Sequence, residues 1–217
     1  MSAEGWFQQL VQRWGTLSGW EITAVLLALV YLLLAVRQNR WCWVAALVST
    51  AIFTALFWQV QLLMQSGLNI YYMGMALYGW WHWRHGSSGQ GALPITRWRW
   101  RRHAQALGLI VLLAVISGFF LERHTGAAWP YLDSFITWGA VVTTFMVARK
   151  VLENWAYWMV INSLAIVLFL DRGMALTAAL HAAYLVISVV GWISWHRDYR
   201  RHGHDPAPAA GPVTDKQ

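Results

Sequence analysis

The sequence predicts an all-α membrane fold of seven transmembrane helices, arranged as three, one and three, with the two triplets as parallel repeats. Three observations predict it: seven apolar stretches of spanning length, a lopsided distribution of arginine and lysine, and a self-match at a constant offset of 112 residues.

The apolar stretches come first. Hydrophobic residues make up 58% of the 217 and charged residues only 12%, about half the charged share of a soluble domain. The stretches run over Trp20–Val36, Trp41–Trp58, Leu68–Trp83, Ala104–Leu121, Leu132–Ala148, Trp155–Leu170 and Met174–Trp195. Each is close to the ~20 residues that cross ~30 Å of hydrocarbon at ~1.5 Å per residue. Helices are required, because open strands would leave backbone groups unpaired in lipid. Seventeen tryptophans are too many for ordinary core packing and suit interfacial belts. Residues 1–19 mix polar and aromatic side chains at helical spacing (Trp6, Leu10, Trp14, Leu17) and read as an interfacial segment.

Charge gives the orientation. If seven spans are threaded, thirteen of the sixteen basic residues fall on one side, from Arg37 and Arg40 through the Arg97–Arg102 cluster to Arg149, Lys150 and Arg197. Arg13, Arg123 and Arg172 fall on the other. This bias predicts an N-terminus outside and a C-terminus in the cytoplasm. The net charge of +7 is thus explained by loops at a bilayer, and a nucleic-acid partner is not expected. Residues 197–217 read as a cytoplasmic disordered tail, rich in Pro, Ala and Gly after Arg201.

The repeat gives the domain organisation. At a shift of 112, Glu21 meets Asp133, Arg37 meets Arg149, Trp43 meets Trp155 and Tyr72 meets Tyr184. Gly79-Trp80-x-x-Trp83 meets Gly191-Trp192-x-x-Trp195. The expected units are a first three-helix repeat (20–84), a basic loop with a linker helix (85–131) and a second repeat (132–196). Three intervening spans put equivalent helices in the same direction, and parallel repeats of this kind enclose transport sites near the midplane.

Several side chains are candidates for such a site. Trp155, Trp158 and Asn162 share one helical face, with the amide near mid-membrane where it needs a partner. Its functional reading is a hydrogen bond to a substrate beside indole faces; its structural reading is an interhelical hydrogen bond. Asn69 and Tyr72 mark a second face, on the third span. The interfacial reading covers Trp80, Trp83, Trp192 and Trp195, and the helix dipole accounts for Glu21 and Asp133. His82 and His181 read as lone histidines near helix ends, and Thr143 and Thr144 as residues that bond their own helix as easily as a substrate. Cys42, the single cysteine, reads as a small buried apolar residue. No carboxylate, lysine or arginine occupies the centre of a span, which argues against ion coupling. No catalytic, metal or phosphate-loop motif is present, so neither an enzyme nor a cofactor is expected. A seven-helix sensor would be expected to carry a docking domain, which the short tail does not supply.

The string Glu153-Asn154-Trp155-x-x-Trp158-x-x-x-Asn162, with Asp133-Ser134, Arg149-Lys150 and Tyr78-Gly79-Trp80-x-x-Trp83, resembles the PnuC vitamin transporters from about Glu21 to Trp195. The resemblance implies a SWEET-like fold, a homotrimer and a place in the bacterial inner membrane. It further implies uptake of nicotinamide riboside down its gradient, with a cytoplasmic kinase trapping it for NAD biosynthesis. By the same resemblance Trp155, Trp158 and Asn162 would line the substrate site. Members that carry nicotinamide riboside have glutamine at the position of Asn69, one methylene longer. Related transporters carry thiamine or riboflavin, and these remain alternative substrates.

Overall fold

In the computed structural model, residues 19–59, 63–86, 93–125 and 129–202 are described. They form seven helices: α1 (Gly19–Val36), α2 (Cys42–Gln59), α3 (Leu63–His85), α4 (Trp100–His124), α5 (Pro130–Ala148), α6 (Asn154–Asp171) and α7 (Ala175–His202). The expected interfacial segment lies outside the described residues.

Six of the seven, all but α3, are long and apolar enough to cross a bilayer by length and composition. The seven expected spans correspond to these seven helices, and the apolar measure singles out six of them. The α3 helix has ample length at 23 residues, but Gln65, Ser66, Asn69, Tyr71 and Tyr72 at one end and His82, Arg84 and His85 at the other dilute its apolar character. It packs between α2 and α5, with Ile70, Leu77 and Trp81 exposed along its length. The tail expectation shifts too. Helix α7 runs seven residues past Trp195, and Tyr199 packs against the core, so 197–202 are helical rather than tail.

Local chemistry sets the turns. Helix α6 ends where Gly173 turns left-handed (φ 69°) and the Met174 amide reaches back to Phe169 O at 2.8 Å, satisfying a last-turn carbonyl. The α1–α2 and α5–α6 turns use the same closure with non-glycine residues. Gln38 (φ 54°) and Lys150 (φ 48°) take the left-handed position, and Asn39 N and Val151 N reach Leu34 O and Met146 O. Pro130 opens α5, its fixed φ and missing amide suiting a first turn. The segment before α4 is tied down as well. Thr96 exchanges backbone bonds with Lys150 and Leu152, and Arg97 pairs with Glu153 at 2.7 Å.

Neighbouring helices pack in sequence from α1 to α3 and from α4 to α7, and α3 also packs on α5 while α1 packs on α7. The tightest core lies at the arginine-rich end of the molecule, where α1 and α5 finish and α2 and α6 begin. There Trp43, Trp83, Trp155 and Trp195 are all buried with Ala35, Ala148 and Leu152. Glycines make room for them. A Cβ on Gly191 would lie 2.6 Å from the Trp155 ring, and a Cβ on Gly79 would collide with the ring of Trp43.

Candidate functional site

On α6, Asn162 is buried, and His181 of α7 donates from Nδ1 to its Oδ1 at 2.9 Å. The amide oxygen can only accept, so Nδ1 carries the proton in this pair, and Nε2 is the ring's second polar atom. His181 stacks on Phe169 at 5.2 Å between centroids and meets Tyr184 edge-on at 5.7 Å. A polar pair, midway along α6 and near the start of α7, is thus framed by two aromatic rings. The predicted interhelical role of Asn162 is observed, and its partner is a histidine that the sequence reading set aside. The signal was available: 181 less 112 is 69, so His181 is the repeat equivalent of Asn69.

The other expected residues divide. Asn69 is buried on α3, and half-buried Tyr72 lies against Tyr71 at 5.6 Å. Tyr71 donates to Val141 O at 3.1 Å, which ties this face of α3 to α5. Trp158 is half-buried at the edge of the core. Trp155 is 1% exposed, capped by Gly191 and edge-on to Trp195 at 5.5 Å. It therefore has no open ring face in this conformation, and it is two turns closer to the sealed end than Asn162. Thr143 and Thr144 bond their own helix, to Gly139 O and Ala140 O.

A cavity of about 940 Å³ opens elsewhere, between α3, the segment before α4, α4 and α5. None of the five expected site residues lines it.

The fold, the buried amide–imidazole pair and the sealed arginine-rich end together describe a helical membrane protein with polar groups held between helices. The sequence model of the nicotinamide mononucleotide transporter family matches residues 18–197. The chain belongs to that family. It is accordingly a multi-pass membrane transporter and not an enzyme. Similar proteins include the riboflavin/roseoflavin transporter RibM of Streptomyces davaonensis, 23% identical over 81% of this chain and 84% of that protein. The nicotinamide riboside transporter PnuC of Escherichia coli is 24% identical over 72% of this chain and 76% of its own length. The PnuC of Neisseria mucosa reaches 32%, but over 43% of this chain and 40% of its own. Among solved structures, the crystal structure of the vitamin B3 transporter PnuC superposes with a TM-score of 0.69, at 20% identity, covering 90% of this chain and 88% of that one. That likeness establishes the fold. At these identities the family is secure, and the vitamin that this member carries has to be argued from its own residues.

Proposed function

We propose that the protein takes up nicotinamide riboside by facilitated diffusion, through alternating access between two parallel three-helix repeats joined by α4. One pair of contacts carries the reading. Trp83 of α3 donates to Ala148 O at the end of α5 (3.0 Å), and Trp195 of α7 donates to Ala35 O and Val36 O at the end of α1 (3.1 and 3.2 Å). Trp83 and Trp195 differ by 112, as do Val36 and Ala148. The third helix of each repeat therefore grips the first helix of the other, as two bundles related by a pseudo-two-fold axis would do. Rocking about that axis would break both grips together and open the arginine-rich end.

On this reading the site lies at Asn162 and His181 of one repeat and Asn69 and Tyr72 of the other, with Trp158 beside them. Trp155 becomes available only when the tryptophan cluster parts. An aromatic carboxamide could donate to His181 Nε2, and its pyridinium ring could gain ~0.5–2 kcal/mol over an indole. The thirteen basic residues on one side support a cytoplasmic C-terminus at an inner membrane. The homotrimer and the supply of NAD biosynthesis follow from the family resemblance. A second reading, riboflavin uptake, is supported by the similarity to RibM over most of that protein's length; thiamine, whose thiazolium suits the same cation–π contact, is a third.

The test is uptake into proteoliposomes of labelled nicotinamide riboside, thiamine and riboflavin, with and without proton and sodium gradients. Gradient-independent entry of nicotinamide riboside is expected. Entry of riboflavin or thiamine alone would reassign the substrate, and entry only with a gradient would overturn the uncoupled mechanism.

A further inference from the structure

The cavity between α3, α4 and α5 is amphipathic along the helix axes. At its rim stand Arg97, Arg102, Arg149 and His82, from four different elements. Deeper lie Leu109 on α4, Val141, Val142 and Phe145 on α5, and Tyr71 on α3. Seven residues separate Arg102 from Leu109, so the polar rim and the apolar wall are ~10 Å apart along the helix. On α4 and at the end of α5 the order is the same, with arginine at the arginine-rich end and apolar residues toward mid-membrane; on α3 His82 is at that end and Tyr71 is deeper.

Charge in the rim is compensated at only one of its three arginines among the described residues. Arg97 is paired with Glu153, which does not line the cavity. Among the described residues no acidic side chain lines it, and Arg102 and Arg149 have no ion pair. The Arg149 guanidinium lies over the Phe145 ring at 5.3 Å, which holds it at the boundary between the two zones. The apolar wall does not end in the cavity. Leu109, Leu112 and Ile116 share one face of α4, all three exposed, so the wall runs on into a face suited to acyl chains.

We propose that this cavity binds an anionic phospholipid, with its phosphate between Arg102 and Arg149 and its acyl chains against Leu109, Val142 and Phe145. A soluble phosphate compound shares the headgroup chemistry but has no use for the apolar depth or its continuation along α4. Basic pockets between transmembrane helices are places where anionic headgroups lodge. The site is separate from Asn162 and His181 and does not depend on which vitamin is carried.

The test uses the full chain, purified in detergent and titrated with phosphatidylglycerol, phosphatidylcholine or glycerol phosphate, with bound lipid counted by native mass spectrometry. Phosphatidylglycerol is expected to bind in preference to phosphatidylcholine. The Arg102→Gln variant should bind it about fivefold more weakly, the factor for one arginine at an anionic surface. Because Arg102 is exposed and holds no ion pair among the described residues, this variant should elute as the parent does; Arg149→Gln is a second, independent variant. Arg123→Gln, at the opposite end of α4, should bind normally. Equal binding of the two lipids, or unchanged affinity in both rim variants, would overturn the proposal. Displacement of the lipid by millimolar glycerol phosphate would assign the site to a soluble phosphate instead and overturn it equally.

Discussion

Lys150 donates through Nζ to Gln38 Oε1 at 3.2 Å, and the two residues stand 112 positions apart in the chain. Both hold the left-handed backbone of their helix-ending turns, a conformation that costs a non-glycine residue ~1–2 kcal/mol. Equivalent residues can touch only near an axis that relates them. Gln38 passes the contact on, donating from Nε2 to Asp198 Oδ2 at 2.8 Å on α7. The Lys150 ammonium also lies over the Trp83 ring at 4.7 Å. A buried cation therefore sits against Trp83, one of the four tryptophans that close this end.

That position fixes a pH dependence. Lys150 is 4% exposed, and burial pushes its ammonium down to about 8, with Cys42 and Asp198 opposing the shift. Below about pH 8 both folded and unfolded chains are protonated, and the folded state bears the full cost of the buried charge. Between about 8 and 10.5 the unfolded chain binds more protons, so stability rises with pH and the cost, at most about 3 kcal/mol, is relieved. Thermal melts in detergent from pH 7 to 11 should show the native protein gaining on Lys150→Met through that window, with the variant more stable at pH 7. Parallel curves for the two proteins would refute the assignment.

The glycines beneath the indoles give a sharper contrast. Gly191→Ala would set a methyl 2.6 Å from the buried Trp155 ring, and Gly79→Ala would drive one into Trp43. Neither ring can move without disturbing the cluster, so each variant should lose at least about 1–3 kcal/mol of stability. Gly74→Ala, on the same helix as Gly79 with nothing within 4 Å, should be neutral or slightly stabilising. Melting temperatures of the three would decide it, and equal losses at Gly74 and Gly79 would mean that packing is not the cause.

The helices were legible because lipid demands long apolar runs, and six of the seven obey that demand. Helix ends were less legible: α7 continues beyond its apolar part because Tyr199 and Asp198 still have partners there. In the site, Asn162 announced itself as an amide in an apolar run, whereas His181 looked idle beside it in one dimension. Only the fold brings α6 and α7 close enough for the two to bond. Trp155 shows the opposite situation. Its spacing from Asn162 suggested a shared face, yet two turns along the helix separate a sealed core from a polar pair, and periodicity carries no information about what covers a face.

The amide–imidazole pair predicts coupled losses. His181→Ala leaves the buried Asn162 oxygen without its donor, which costs about 1–3 kcal/mol, and it removes the acceptor Nε2. On the proposed reading, uptake in proteoliposomes should fall at least tenfold in His181→Ala and in Asn162→Ala, and the double variant should be little worse than either single one. Ser163, the next residue on α6, is exposed and bonds only Met159 O among the described contacts. Ser163→Ala should leave both stability and uptake unchanged. Normal uptake by Asn162→Ala would remove the site from this pair of helices.

The paired tryptophans at the axis allow closure itself to be measured. Trp83 and Trp195 lie 6.2 Å apart, and each donates to the last turn of a helix in the other half of the molecule. Replacing either by Phe keeps a ring and removes that donor, a loss of about 1 kcal/mol, and their contact should give a coupling of ~0.5–1.5 kcal/mol in a double-variant cycle. If these contacts hold the arginine-rich end shut, weakening both should raise the population of the open state about tenfold or more, since every ~1.4 kcal/mol is a factor of ten. Cys42 is a reporter already in place: it is the chain's single cysteine, fully buried, and belongs to the same cluster. Its labelling by a membrane-impermeant maleimide, added from the arginine-rich side, should therefore accelerate in Trp83→Phe/Trp195→Phe by a comparable factor. A variant that melts earlier while Cys42 reacts at the parental rate would show that the cluster stabilises the fold without being the part that opens.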